Sequence, residues 1–315
     1  MNVKKIDLSG ESVVFHSGDN LLSGYESKLN FAVGASFSVN GKAIVTLRSE
    51  DQDGSSNVVL RHPDSGEQVR STLGVTRYVV TEYGTANLFG KSIRERALAM
   101  IDIAHPRHRK WLLEESRNAG YVYRDQIYAA VDDVRYPTDL ETVKSLKDGF
   151  EVRFRPIKSS DEDMMRRLFY TFSDESKYLR YFATIRIMPH ERMQEYVNID
   201  YGKTLSIVGV IQRKGIDHIV AEARYSLDMN SGRYEMAFVV DEEFQGRGIA
   251  TFMVTYLLKI ARDRGIKLLG AQVLPINEKM LKAFSSSGFP YIQRLQEGII
   301  DLTFDLCMET GSKEA

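Results

Sequence analysis

Cysteine is almost absent from this sequence, since Cys307 is the single cysteine among 315 residues. One cysteine excludes an intramolecular disulfide and a cysteine-rich metal site. Neither sign of charge is in excess, because 42 basic residues face 43 acidic ones, which argues against a general nucleic-acid or membrane surface. No run approaches the roughly 20 apolar residues that span a bilayer, and residues 1–18 lack a secretory hydrophobic core. We therefore expect a cytoplasmic protein.

The chain does contain enough apolar residues for two domains, with 43% hydrophobic residues over a length of 315. Residues 1–125 contain β-rich runs such as Phe31–Phe37, and the capping box Ser92-Ile-Arg-Glu95 begins a helix. Residues 126–149 are charged and weakly patterned, which is typical of a linker. Over residues 150–315 the predicted order β-α-α-β-β-β-α-β-α favours an α+β domain with a mixed sheet.

A glycine-bearing turn, Gln245-Gly-Arg-Gly-Ile-Ala250, lies between a predicted strand that ends at Val240 and a predicted helix over Thr251–Arg264. Glycine lets the backbone approach an anion closely, and the first helical turn has unpaired N–H groups. Such a turn is suited to a pyrophosphate. Its spacing differs from the phosphate loop that ends in Gly-Lys-Ser/Thr and from the dinucleotide fingerprint with three glycines.

Two polar residues flank this turn in the sequence. Glu235 lies on the predicted strand, and a carboxylate in a partly apolar cleft has a raised pKa that suits a general base. On a solvent-facing strand it would instead pair with Arg233 or Arg224. Asn277 begins a predicted helix, which taken alone is an ordinary capped helix.

In this order the strand, the glycine turn and the Asn277 helix resemble the GNAT N-acetyltransferases. The resemblance implies a central mixed sheet flanked by helices, acetyl-CoA as cosubstrate, no metal, and transfer of an acetyl group to an amine. It implies that Glu235, in Glu235-Met-Ala237, is the general base. It also implies a set of residues that bind coenzyme A: Phe238, Val239, Val240, Gln245, Gly246, Arg247, Gly248, Ile249, Ala250 and Asn277.

Three further segments, Arg155-Pro-Ile157, Arg180-Tyr-Phe182 and Ile199-Asp-Tyr201, resemble the protein lysine acetyltransferases of the Pat type. This narrower resemblance implies a protein lysine as the amine acceptor. Phe284 stands where many GNAT enzymes have a tyrosine that acts as general acid. Protonation of the departing thiolate is therefore left to water or to Tyr291.

The N-terminal half carries a second resemblance, in the Thr-Glu-Tyr-Gly segment at 81–84 and the Ala-His-Pro segment at 104–106. From Val3 to Leu113 it is similar to the C-terminal domain of the acetyl-CoA hydrolase/transferase family, which includes 4-hydroxybutyrate CoA-transferases. The resemblance implies that residues 1–125 form a partial α/β domain of this type. That family's CoA-accepting glutamate lies upstream of the matched region. Residues 26–28, Glu-Ser-Lys, replace the family's Gly-Gly-Gln, so a working transferase centre is not expected.

Two features of this half have a functional and a structural interpretation. Glu82 and Glu26 are conceivable nucleophiles, but the structural role is favoured because such charges are common. His105 and His108 have the spacing of metal ligands, but no ligand pattern surrounds them, and Pro106 interrupts the helix that would align them. A loop at a helix end is the favoured interpretation.

The sequence thus predicts an enzyme, an acyl-CoA-dependent N-acetyltransferase acting on an amine and in particular on a protein lysine. A non-catalytic acyl-CoA-sensing or regulatory subunit remains an alternative, as does a remnant or split-chain CoA-transferase. The expected partners are acyl-CoA, the acceptor and other CoA-utilising enzymes, with no nucleic acid and no membrane.

Overall fold

The computed structural model of the chain describes residues 2–12, 16–17, 20–21, 25–62, 76–127, 136–229 and 231–307. The chain divides into two compact units, one of Met1–Asp133 with Lys158–Asp163 and one of Val134–Ile157 with Met164–Ala315. In the described part of the chain, no helix is long and apolar enough to cross a membrane.

The N-terminal unit combines short strands with three helices in its described residues. The strands are β1 (Ile6–Asp7), β2 (His16–Ser17), β3 (Asn20–Leu21), β4 (Ile44–Thr46), β5 (Val58–Val59), β6 (Tyr78–Thr81) and β7 (Gly84–Asn87). The helices are α1 (Tyr25–Phe37), α2 (Ile93–Ile103) and α3 (Pro106–Asn118). The order β4-β6-β7 forms one sheet, and α2 contributes Leu98, Met100 and Ile101 to the buried core.

Two local predictions for this unit have opposite outcomes. The capping box at the start of α2 is confirmed, because the Ser92 hydroxyl accepts from the Glu95 N–H while the Glu95 carboxylate accepts from the Ser92 N–H. The strand predicted over Phe31–Phe37 is wrong, because this run forms the second half of α1. An apolar run without a period of two does not distinguish strand from helix.

The C-terminal unit is built on one large sheet. Its strands are β8 (Thr142–Ser145), β9 (Glu151–Pro156), β10 (Thr204–Arg213), β11 (Ile216–Leu227), β12 (Tyr234–Val240), β13 (Leu268–Val273), β14 (Tyr291–Gln296) and β15 (Ile299–Asp305). They lie in the order β14-β15-β13-β12-β11-β10-β9-β8. Only the β12–β13 pair is parallel in this sheet of described strands, so the predicted mixed sheet is confirmed.

Helices pack on both faces of this sheet. They are α4 (Glu162–Thr171), α5 (Asp174–Tyr181), α6 (His190–Val197), α7 (Ile249–Asp263) and α8 (Glu278–Ser285). Leu257 of α7 and Phe284 of α8 share one core with Met236. Leu168 of α4 and Val197 of α6 belong to a separate core on the opposite face. The predicted class, α/β and α+β with a central sheet flanked by helices, is therefore confirmed.

Part of the segment expected to be a linker lies in this sheet, since β8 pairs with β9 through residues 142–145. The boundaries of the predicted domains, 1–125 and 150–315, themselves stay a prediction. Strand β8 nonetheless means that residues before 150 help to build the C-terminal unit.

A buried ion cluster joins α5 and α6 to β11. The fully buried Glu222 carboxylate accepts hydrogen bonds from Arg224 Nε (2.5 Å), Ser206 Oγ (2.8 Å) and Tyr196 Oη (2.9 Å). Arg180 donates to the Tyr196 hydroxyl at 2.9 Å and lies 3.9 Å from Glu222. Burial raises the pKa of Glu222, but Arg224 and Arg180 outweigh burial and hold that pKa below its ordinary value.

We expect Glu222→Gln to destabilise the C-terminal unit by about 3–5 kcal/mol, because it leaves two buried guanidinium groups without a carboxylate. Hydrogen exchange of β11, followed by mass spectrometry, measures this unit separately from the other. The matched control is Glu243→Gln, which removes an exposed partner of Arg213 and should leave exchange of β11 unchanged. Equal protection in Glu222→Gln and the wild type would contradict the assigned role of the cluster.

Candidate active site

Strands β12 and β13 separate part of the way along their length. They pair from Tyr234–Leu269 to Met236–Ala271, and no pairing between them follows in the described residues. Strand β12 continues to Val240 on the β11 side. Residues Phe238, Val239 and Val240 therefore border a cleft between two parallel strands. Backbone groups along such an edge need another partner, which an extended ligand can provide.

The predicted glycine turn follows at the far end of β12. Gly246 and Gly248 have φ angles of 77° and 91°, a left-handed region that other residues adopt only with strain. A Cβ atom on either glycine would meet no heavy atom within 4 Å. Backbone conformation, rather than crowding, thus explains both glycines, and the space above them is free for a ligand within the described structure.

Helix α7 begins immediately after this turn. Gly248 is its N-cap residue and provides no side-chain cap, so the N–H groups of Ile249 and Ala250 have no intrahelical acceptor. The Ile249 side chain is buried in the core, which leaves only its backbone for a ligand. Helix N-termini of this kind attract anions.

Two side chains of the turn are held by contacts that fix the turn itself. The Arg247 guanidinium lies 4.6 Å from the centre of the Phe150 ring and 5.8 Å from that of Phe244. Gln245 donates to the Val240 carbonyl at 3.2 Å and accepts from Lys279 Nζ at 3.2 Å. The Val240 carbonyl is consequently already paired, while Gln245 joins the end of β12 to the first turn of α8.

Glu235 lies one residue before the last β12–β13 pair. It is opposite Gly270 on β13, where an added Cβ would come within 3.8 Å of the Glu235 Cγ. Its side chain is exposed, yet partial desolvation, Asp228 and Asp301 raise the pKa of Glu235 above its ordinary value, against the influence of Arg233. The structure therefore combines an accessible carboxylate with the raised pKa of a general base.

Asn277 and Phe284 lie on α8. Asn277 is the N-cap residue, and its side chain accepts from the Met280 N–H at 3.2 Å. Phe284 is buried between the rings of Phe238 and Phe304, each with its centre 5.6 Å away. Asn277 thus caps the helix whose Lys279 contacts the turn, whereas Phe284 packs in the core and has no proton to donate.

Sequence patterns missed Gly270, Lys279 and Asp301 as parts of this site. Each comes from a segment distant from Glu235 or the turn, and only the strand register and the α8 position bring them there. Of these residues, Gly270 could have been recognised from the sequence, because a glycine inside a predicted strand indicates that another group approaches the backbone closely.

In the N-terminal unit the two family-like segments lie against each other. Thr81 donates to the Ile103 carbonyl at 2.6 Å, and the Tyr83 and His105 rings are 5.1 Å apart, edge to face. Burial raises the pKa of Glu82, but hydrogen bonds from Ser49 outweigh burial and lower that pKa overall. A carboxylate held in this way favours the structural interpretation of Glu82. The Glu26 side chain lies outside the described residues.

Glu50 approaches the two histidines that have metal-like spacing. Its carboxylate is 2.8 Å from His108 Nε2 and 3.4 Å from His105 Nδ1, and it also pairs with Arg107. Among the described residues, no group of three or more His, Cys, Asp or Glu side chains has the geometry of a metal site. Glu50 therefore forms an ion-pair cluster at the start of α3.

Two family models match separate parts of the chain. Residues 1–116 match the acetyl-CoA hydrolase/transferase C-terminal domain, and residues 162–289 match the acetyltransferase (GNAT) family. The two matches do not overlap, and each lies in the half where the sequence motifs predicted it.

Relatives are found for each half. The first half is 38% identical over 111 residues to the 4-hydroxybutyrate coenzyme A transferase of Clostridium kluyveri, covering 35% of this chain and 26% of the relative. The second is 29% identical over 141 residues to the acetyltransferase Pat of Mycolicibacterium smegmatis, covering 44% of this chain and 41% of the relative. The chain thus spans less than half the length of both curated relatives.

A solved structure, the GNAT domain of S. lividans PAT, is 30% identical to this chain. The match covers 54% of this chain and 99% of that domain, with a TM-score of 0.49.

We expect Gly248→Ala to destabilise the C-terminal unit by roughly 1–2 kcal/mol, because alanine is strained at a φ of 91°. Urea unfolding followed by circular dichroism measures the change. The matched control is Gly202→Ala, where φ is not in the left-handed region and the nearest atom is 3.9 Å from the added Cβ. Equal effects of the two substitutions would contradict the strain argument.

Proposed function

Residues 1–116 belong to the acetyl-CoA hydrolase/transferase C-terminal domain family and residues 162–289 to the GNAT acetyltransferase family, and from this we propose that the chain transfers an acetyl group from acetyl-CoA to an amine. We further propose that the amine is a protein lysine and that Glu235 is the general base. The observation that carries the proposal is the course of β12, which has a carboxylate at the cleft and, beyond its end, a glycine turn that leads into the uncapped N-terminus of α7.

The distance between Glu235 and the glycine turn is suited to the length of acetyl-CoA between its thioester and its pyrophosphate. Five residues separate Glu235 from Val240, which corresponds to about 17 Å along a strand. The pyrophosphate would bind to the N–H groups around Gly248 and Ile249 with the positive end of α7 behind them. The elongated pantetheine arm would then lie in the cleft along Phe238–Val240, with the thioester near Glu235.

The reaction requires little beyond positioning and proton removal. Glu235 accepts a proton from the ammonium group of the acceptor. The neutral amine attacks the thioester carbonyl carbon and a C–N bond forms. The nitrogen loses its second proton as the C–S bond breaks, which leaves the amide and the coenzyme A thiolate. The thiolate takes up one proton, so the overall reaction releases one proton to solvent. Phe284 cannot protonate that thiolate, so its proton comes from a group other than the one common in GNAT enzymes.

A lysine acceptor is supported by the charge around the base. Asp228 and Asp301 both act on Glu235, and carboxylates of this kind stabilise an approaching ammonium group. The Pat-type resemblance favours the same acceptor. The proposal for the acceptor class therefore rests on two independent arguments, one electrostatic and one from sequence.

We expect Glu235→Gln to lower kcat for lysine acetylation by about 10²–10⁴-fold, because it removes the general base. Acetyl-CoA affinity, measured by calorimetry, should stay unchanged. Since Glu235 must be ionised and its pKa is raised above 4.5, kcat/KM should rise with pH through an apparent pKa higher than that value. This acid limb should disappear in the glutamine variant.

The matched control is Glu151→Gln, which alters an exposed carboxylate on β9 of the same sheet. It should retain both the rate and the acid limb. Tight acetyl-CoA binding by the wild type without turnover on any lysine would instead support the acyl-CoA-sensing alternative. An unchanged rate in Glu235→Gln would remove Glu235 as the base while leaving the acetyltransferase activity in place.

A further inference from the structure

One half of the sheet face that carries Glu235 is uncovered in the part of the chain that the structure describes. On β10 and β11 this face is packed by α4 and α6. On β13 and β14 it presents Leu268 and Ile292, which are 56% and 63% exposed. We define the open face by the outward residues of these strands and their neighbours: Glu235, Leu268, Gln272, Ile292, Asp301 and Thr303.

Strand register connects the apolar part of the open face to the base. Glu235 pairs with Gly270, Gly270 with Thr303, and Thr303 with Ile292, so these residues form one row across the sheet. Neighbouring strands are about 4.8 Å apart, which puts Ile292 about 14 Å from Glu235. Leu268, two residues before Gly270, is about 8 Å from Glu235 by the same geometry.

Carboxylates near Glu235 favour a cationic ligand at the Glu235 end of this row. Asp301 is two residues from Thr303 on β15, and Asp228 follows the end of β11 beside Glu235. Arg294 pairs with Asp301 on the neighbouring strand, and Arg233 precedes β12. Asp228 and Asp301 both act on the Glu235 carboxylate through their charge, so an ammonium group at Glu235 lies in a negative field. Leu268 and Ile292 are exposed apolar residues of the same face.

We propose that the open face is the docking surface for an extended segment of the acceptor protein that places a lysine at Glu235 and an apolar side chain on Leu268 or Ile292. This inference rests on the proposed function and specifies its acceptor. An extended chain advances about 3.4 Å per residue, so distances of about 8 and 14 Å correspond to positions two to four residues from the lysine. A lysine with an apolar residue at that spacing is the expected substrate.

Peptides released from a denatured cell proteome by a glutamate-specific protease provide the probe. They are incubated with acetyl-CoA and the full chain, and acetylated lysines are identified by mass spectrometry. We expect enrichment of apolar residues two to four positions from the acetylated lysine. Ile292→Thr should abolish the part of that enrichment that lies four positions from the lysine, which Leu268 is too close to Glu235 to contact. On a synthetic peptide with its apolar residue at that position it should lower kcat/KM roughly tenfold, through KM rather than kcat, because an apolar contact is lost.

Leu295→Thr is the matched control, because Leu295 lies on the same strand, is 69% exposed and pairs with the core residue Ile300 on the opposite face. It should leave both measurements unchanged. Equal effects of the two substitutions, or acetylation without the enrichment, would overturn the docking surface but not the acetyltransferase. The absence of any acetylated peptide would overturn the proposed lysine acceptor and this inference with it.

Two other occupants of the open face would also overturn the inference. A second copy would appear as a dimer that Ile292→Thr dissociates in size-exclusion chromatography with light scattering. The other occupant is residues 308–315 of the same chain. If these residues covered the open face, the enrichment of apolar residues would appear only in a chain shortened to end at Cys307. A monomer whose preference is the same with and without those residues supports the acceptor segment.

Discussion

The site depends on the separation of β12 from β13 after the Met236–Ala271 pair. Parallel strands that remained paired to their ends would consume every backbone group between them and leave no cleft. Because they separate, Phe238–Val240 border a slot, and the chain needs the 241–248 connection to reach α7. The cleft and the glycine turn therefore lie at the same end of β12, and Glu235 is beside the point where the two strands separate.

The ion cluster around Glu222 lies on β11, next to the strand that borders this opening. Glu222 and Arg224 are paired in register with Val239 and Ala237 of β12, so the cluster lies directly behind the strand that loses its other neighbour. Hydrogen bonds from Tyr196 and Arg180 attach α5 and α6 to this position. Breaking a buried ion cluster is costly, so the cluster stabilises β11, the strand with which β12 is still paired after its pairing with β13 has ended.

Turns, helix caps and helix starts could be predicted from the sequence, whereas the pairing register of the strands could not. The glycine turn, the Ser92 capping box and the helix after Gly248 were predicted because each depends on neighbouring residues. The second half of α1, Phe31–Phe37, was predicted as a strand, since its apolar residues follow neither period. Strands β14 and β15 were missed although Glu297 and Gly298, both with positive φ, form their hairpin turn. Gly270 opposite Glu235 required register, which no single segment contains.

The carboxylates around Glu235 place two opposing demands on the proposed reaction. Asp228 and Asp301 attract an ammonium group, but the same field makes that ammonium harder to deprotonate. The conflict is reduced because the field also raises the pKa of Glu235, so that the base gains proton affinity from the charges that hold the substrate. Transfer of the proton to Glu235 removes one negative and one positive charge together. The acidic surroundings therefore favour binding of the cation and leave its deprotonation by Glu235 little affected, because the pKa values of the ammonium group and of Glu235 rise together.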